Sequence, residues 1–71
     1  MKNEKLIQKL KKEQKDLNEK LHKLDLFITK QANSQTISDL QLNLLNVQCD
    51  AMSAYSNVLG MRIRDLEEHH D

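Results

Sequence analysis

Apolar residues recur along this chain at the spacing of two amphipathic helices separated by a short polar break. Most gaps within each series are three or four residues, which places the members of a series on one face of a helix. The break is the polar run of residues 31–35. The first series is Ile7, Leu10, Leu17, Leu21, Leu24 and Ile28, and the second is Ile37, Leu40, Leu44, Val47, Ala51, Tyr55, Leu59 and Leu66.

The shortness of the break favours an antiparallel hairpin over one continuous rod. We therefore predict an all-α fold, a coiled-coil-like two-helix antiparallel hairpin that forms a single domain over residues 1–71. We expect helix one over about residues 3–31, the turn over 32–36 and helix two over 37–68.

Two glutamines, Gln14 and Gln31, interrupt the heptad stripe of helix one. A polar residue at a seam position can fix the register and the oligomeric state. Alternatively, both side chains lie near solvent, and the sequence does not choose between the two interpretations. After the break, the run Thr36-Ile37-Ser38-Asp39 matches the pattern in which a hydroxyl caps the start of a helix.

Charge is distributed unevenly although its total is zero. Residues 1–35 hold nine Lys and five acidic residues, a balance of +4, and residues 36–71 hold two Arg and six acidic residues, a balance of −4. An antiparallel hairpin brings the two ends together, where exposed ion pairs set orientation more than they add stability. The expected partners are Lys2, Lys5 and Lys9 on one helix and Asp65, Glu67 and Glu68 on the other.

The apolar arc of helix two is wider than a two-stranded seam requires, because Leu45 and Met52 broaden it. Two helices alone cannot enclose a core, so we expect the hairpin to assemble into a homo-oligomeric helical bundle. The predicted oligomer interface consists of Leu44, Leu45, Val47, Ala51, Met52, Tyr55, Leu59, Ile63 and Leu66.

Composition narrows the class of protein. The chain has no proline, one glycine and two aromatic residues, Phe27 and Tyr55, which is typical of coiled coils. No apolar run approaches the length of about 20 residues that crosses a bilayer, so we expect no membrane partner. The single cysteine, Cys49, excludes an internal disulfide and fits a cytoplasmic location.

Candidate catalytic and metal-binding residues are few. Cys49 has no histidine at helical spacing that could act as its base, so we expect no catalytic residue and no enzyme activity. His69 and His70 are adjacent and diverge around a helix, and the chain lacks the four ligands of a structural zinc site. We therefore predict no metal and no cofactor.

The candidate ligand-binding residues are cationic or aromatic. Arg62 follows Tyr55 by seven residues, so both lie on one side of helix two. An arginine on this face can hold a phosphate or can pair with an acid of a facing chain. The predicted ligand contacts are Tyr55, Arg62, Arg64, Lys9 and Lys12.

The basic start of helix one raises the possibility of nucleic-acid binding. Its cations are all lysines, and no aromatic residue lies among them to stack bases. We therefore expect no sequence-specific recognition, and at most weak, salt-sensitive association.

Two segments resemble a family of small phage proteins. Residues 16–28, DLNEKLHKLDLFI, resemble the first helix of this family, and residues 44–63, LLNVQCDAMSAYSNVLGMRI, are similar to its second helix. The family occurs in many phage genomes, including those of crAss-like phages, and the resemblance implies a helical hairpin of phage origin without assigned site residues. Other small all-helical phage hairpins sequester nucleotide immune signals between their subunits, an analogy of architecture.

These observations favour a binding protein over an enzyme. Our leading hypothesis is a phage accessory protein, located in the host cytoplasm, that opposes host defence as a sponge for a nucleotide-type signal held at subunit interfaces. A second hypothesis is a structural or regulatory adaptor that binds a helix of a partner, such as a host defence protein. The third is non-specific nucleic-acid binding through helix one.

Overall fold

The computed structural model describes residues 2–69, with side chains from residue 3 onward. Helix α1 spans Lys2–Asn33 and helix α2 spans Asp39–Glu68. The helices pack against each other in opposite directions and form a rod 52 Å long and 15 × 13 Å in cross-section. The predicted all-α hairpin is confirmed. Within the described residues, neither helix combines the length and hydropathy that crossing a membrane requires.

The turn occupies residues 34–38 and is organised by one side chain of α1. The Oε1 atom of Gln31 accepts hydrogen bonds from the backbone N–H groups of Thr36, at 2.7 Å, and Ile37, at 3.3 Å. Its Nε2 atom donates to Thr36 Oγ1 at 2.9 Å. Gln31 is buried, so the alternative that its side chain lies near solvent is wrong. No residue from 2 to 69 has a positive φ, and the Gln31 amide satisfies two backbone N–H groups of the turn.

Helix α2 begins two residues later than the sequence pattern suggested. Its N-cap is Ser38, whose Oγ accepts a hydrogen bond from the Gln41 N–H at 3.1 Å. The predicted cap, Thr36, is instead bonded to Gln31 and cannot serve α2. Ser38 has extended backbone angles, φ −66° and ψ 158°, as a capping residue requires.

The core of the hairpin is small and lies in the half distant from the turn. Leu10, Leu59 and Ile63 are its buried members, and Leu59 is fully inaccessible. Ile7, Leu17 and Leu66 pack around them and are partly buried. Three residues predicted for the oligomer interface, Leu59, Ile63 and Leu66, therefore serve the contact between α1 and α2, because their face of α2 points at α1.

A polar layer lies beside this core. Gln14 Nε2 donates to the Ser56 carbonyl oxygen at 3.0 Å, and Ser56 Oγ donates to Asn18 Oδ1 at 2.6 Å. Ser56 is buried, and Gln14 is half-buried. Gln14 therefore faces α2 rather than solvent, and its bond to Ser56 holds only at one register of the two helices, which agrees with the interpretation that a polar seam residue sets register.

Gly60 lies under the Gln14 amide and provides the first test of this layer. A Cβ at residue 60 would lie 3.1 Å from Gln14 Nε2, so that amide must move and its bond to Ser56 must weaken. We expect Gly60→Ala to be nearly neutral, because a helix-propensity gain of about 1 kcal/mol offsets a hydrogen bond worth about 1 kcal/mol. In a Gln14→Ala background no hydrogen bond to Ser56 remains to be weakened, so Gly60→Ala should raise the free energy of unfolding by the full helix-propensity gain. Urea unfolding of both single variants and the double variant measures this coupling, and equal effects of Gly60→Ala in both backgrounds would contradict it.

A cross-helix ion pair among the described residues joins the two helices at the open end of the rod. Lys11 Nζ lies 3.1 Å from Glu67 Oε2, and both side chains are half exposed. As expected, a lysine in the basic first part of α1 pairs with an acidic residue near the end of α2. The lysine in the described pair is Lys11 rather than Lys5 or Lys9, and the side chain of Lys2 lies outside the described residues. Such an exposed pair contributes about 0–1 kcal/mol.

Candidate functional site

An exposed apolar stripe runs along one flank of α2. It starts near the turn at Leu40, which is 65% exposed, and passes Val47, which is 64% exposed. Its members recur every three or four residues and so share one side of the helix. We define the apolar stripe as Leu40, Leu44, Val47, Ala51, Tyr55 and Val58, with Arg62 at its far end.

The structure thus divides the residues predicted for the oligomer interface. Leu44, Val47, Ala51 and Tyr55 are exposed and available to another chain. Leu45 and Met52 are half-buried and precede Leu59 by fourteen and seven residues, so they lie on the face of α2 that packs on α1. The remaining three belong to the hairpin core and its rim. Large exposed apolar surfaces of this kind mark interaction sites.

The other flank of the hairpin is lined mainly by polar and charged residues, and three shallow recesses lie along it within residues 3–69. The first, about 560 Å³, follows α1, and the second, about 350 Å³, lies between the helices. The first is lined by Lys11, Gln14, Lys15, Asn18, Glu19, His22 and Lys23. The second is lined by Asn18, Leu21, His22, Asp25, Cys49 and Ser53.

The third recess, about 480 Å³, lies between Gln14 and the last turns of α2. It is lined by Gln14, Asn57, Gly60, Met61 and Arg64. The recesses adjoin, because the first shares Asn18 and His22 with the second and Gln14 with the third. We call the three recesses together the polar face.

The predicted ligand contacts do not converge on one place. Tyr55 and Arg62 lie on the apolar stripe, whereas Arg64, two positions later, is turned by about 200° and lines the polar face. Lys9 and Lys12 are exposed on α1. Lys12 Nζ lies 3.4 Å from Asp16 Oδ2, so its charge is partly compensated.

The fold brings His22 and Cys49 to one recess, a grouping that the sequence pattern did not predict. The two residues are 27 positions apart in the chain, yet both line the second recess together with Asp25. Local spacing along one helix could not reveal this, because the hairpin creates it. Aligning the two helices in an antiparallel register would have placed His22 beside Cys49.

Of the two adjacent histidines at the end of α2, His69 and His70, the structure describes only His69. His69 Nδ1 lies 3.1 Å from Asp65 Oδ1, one helical turn earlier. His70 and Asp71 lie outside the described residues. Between residues 2 and 69 no group of three or more His, Cys, Asp and Glu side chains is arranged to hold a metal ion.

Comparison with known proteins identifies the family. The family model described as Sequestin matches residues 4–65, which include both helices and the turn. The chain belongs to the Sequestin family. No curated protein matches it significantly, and no solved structure does so either. The name Sequestin is consistent with a sequestering, non-enzymatic role, and the two-helix fold agrees with such a role.

Proposed function

We propose that this Sequestin-family protein is a phage-encoded, self-associating binding protein that sequesters a nucleotide-type signal of host defence. The polar face is the observation that carries the proposal. It combines cations with side-chain amides over adjoining recesses, which is the chemistry that recognises phosphates and base edges together. The family name supports the sequestering role.

The cations of the polar face come from both helices. Lys11, Lys15 and Lys23 line the first recess, and Arg64 lines the third. The carboxylates on the same face are Glu19 and Asp25. Lys11 also pairs with Glu67, so Lys15 and Arg64 are the better candidates for holding phosphate.

The amides and the histidine supply the second half of the proposed recognition. Gln14 is held by Ser56, and Asn18 accepts from the hydroxyl of the same serine. These bonds fix the positions of two amides that line the recesses, so little conformational entropy is lost when a ligand binds. His22 offers a ring edge between the first two recesses.

This arrangement refines the expectation that the ligand lies between subunits at Tyr55 and Arg62. Those two residues lie on the apolar stripe, away from the recesses. We therefore assign the ligand to the polar face and self-association to the apolar stripe. Tyr55 and Arg62 remain the alternative ligand contacts.

Titration calorimetry with a panel of cyclic dinucleotides and ADP-ribose-type nucleotides tests the proposal. We expect heat with at least one of them, and we expect Arg64→Ala to weaken its binding about tenfold to a hundredfold, since a hydrogen bond to a charged group contributes about 1.5–3 kcal/mol. Arg62→Ala is the matched control, because the same side chain is removed from the opposite flank.

The two arginine variants distinguish a ligand on the polar face from a ligand on the apolar stripe. Loss of binding in Arg62→Ala with normal binding in Arg64→Ala would move the ligand to the apolar stripe. No heat with any nucleotide would remove the sequestration of a nucleotide altogether.

A partner-helix adaptor is the second candidate function, and the exposed apolar stripe favours it. An amphipathic helix of another protein can lay its apolar face on such a surface. The adaptor predicts a hairpin that stays monomeric when alone and is indifferent to small anions.

A further inference from the structure

The apolar stripe has mirror-symmetric spacing about Ala51. Val47 and Tyr55 lie four residues to either side of it, and Leu44 and Val58 lie seven residues to either side. Leu40 and Arg62 complete the series at eleven residues. A stripe with this symmetry is complementary to a reversed copy of itself, which is the requirement of a two-fold symmetric interface.

We propose that the apolar stripe is the interface for a second copy of this chain, paired antiparallel through α2 with Ala51 on the two-fold axis. This inference specifies the self-association assumed in the proposed function. Val47 of each copy then packs against Tyr55 of the other, and Leu44 packs against Val58. Such an alignment covers about 33 Å of helix, from Leu40 to Arg62, at a rise of about 1.5 Å per residue.

The size of the central residue fits this pairing. Ala51 is the smallest member of the stripe and is exposed. A small residue at the crossing point lets two helix axes approach to about 8 Å, the short end of the observed range. Larger side chains on both sides then interdigitate, with an aromatic ring facing a β-branched residue at two symmetric places.

Charge at the ends of the stripe selects the antiparallel orientation. Arg62 reaches the level of Leu40 of the second copy, next to Asp39 in the first turn of α2, and both charged side chains are exposed in the single hairpin. The stem of an arginine can cover a leucine while its guanidinium pairs with the neighbouring acid. In a parallel pair, Arg62 would lie level with Arg62 and Asp39 with Asp39, which is repulsive.

Cysteine cross-linking of the full chain tests the arrangement. In a Cys49→Ser background, Ala51→Cys should form a disulfide-linked dimer under mild oxidation, because residues on the axis meet within the roughly 4.4–6.8 Å between Cα atoms that a disulfide needs. Ala32→Cys, in the same background, is the matched control on the exposed surface of α1. It should remain monomeric on a non-reducing gel.

A second pair of variants distinguishes antiparallel from parallel pairing. Val47→Cys and Tyr55→Cys should each fail to cross-link alone and should form a heterodimer when mixed. Cross-linking of Val47→Cys with itself would instead show parallel pairing and overturn the proposal. Circular dichroism of each variant verifies that it is helical before its gel is interpreted.

Sedimentation of the unmodified, reduced protein provides the last measurement. We expect a species of twice 8.3 kDa at micromolar concentration. A folded monomer would overturn the proposal and leave the stripe to a helix of another protein, and a dimer without the Ala51→Cys cross-link would overturn the assignment of its interface. None of these measurements involves a nucleotide, so they stand or fall separately from the polar face.

Discussion

Replacement of Leu59 by Ala should lower the free energy of unfolding by about 2–5 kcal/mol, the range observed for buried leucines. Leu59 is the fully inaccessible member of a core that otherwise contains Leu10 and Ile63. A protein of this length has a total stability of about 4–10 kcal/mol at the usual value per residue. The substitution should therefore remove a large fraction of the stability, because few neighbouring side chains can collapse into the cavity.

Urea unfolding followed by circular dichroism measures this effect. Wild type and variant must be compared at the same protein concentration, since the stability of a self-associating protein depends on it. Leu26→Ala is the control, because Leu26 is 49% exposed and lies on α1, outside the apolar stripe. We expect a change within about 0.5 kcal/mol for this surface position. Equal losses in the two variants would show that Leu59 is not the centre of the core.

Replacement of Gln31 by Ala should destabilise the hairpin by about 1–3 kcal/mol, because a buried side chain and its hydrogen bonds, each worth about 0.5–1.5 kcal/mol, are lost. The side chain makes three bonds in the turn, two to backbone N–H groups and one to a hydroxyl. No other side chain described near the turn takes over these two N–H groups. The loss should exceed that of Gln8→Ala, an exposed glutamine on the same helix.

Amide hydrogen exchange gives this prediction a local readout. The N–H groups of Thr36 and Ile37 should exchange faster in Gln31→Ala than in wild type, beyond any change shared by the whole chain. Gln31→Glu retains an acceptor oxygen and loses the donor to Thr36 Oγ1, so it should preserve the protection of both amides better than the alanine variant does. Unchanged exchange at these two residues in Gln31→Ala would refute the role of Gln31 in the turn.

The hairpin itself followed from sequence because its causes are local. The spacing of the leucines predicts each helix. Because only a few polar residues separate two stripes of similar length, an antiparallel pair is the simplest arrangement. The start of α2 did not follow. Thr36 and Ser38 both carry a hydroxyl and are both followed three residues later by an acid or an amide. Only the contact of Thr36 with Gln31, made through the fold, decides in favour of Ser38.

The candidate site was harder to predict for the same reason. Asn18 and Ser56 are separated by 38 positions and are joined at 2.6 Å, and no periodicity within either helix indicates that they meet. The wide apolar arc of α2 was visible in the sequence, but its division between the hairpin core and the exposed stripe depends on the angle at which α1 packs. That angle is set by side-chain shapes along the whole seam.

The apolar stripe and the polar face lie on opposite flanks of one thin rod and share no residue. Substitutions can therefore accumulate in the recesses without altering the surface opposite them. A change of the proposed ligand therefore requires substitutions on one flank only, while the apolar stripe stays unchanged. Because the rod is only two helices wide, a single helix, α2, contributes side chains to both surfaces.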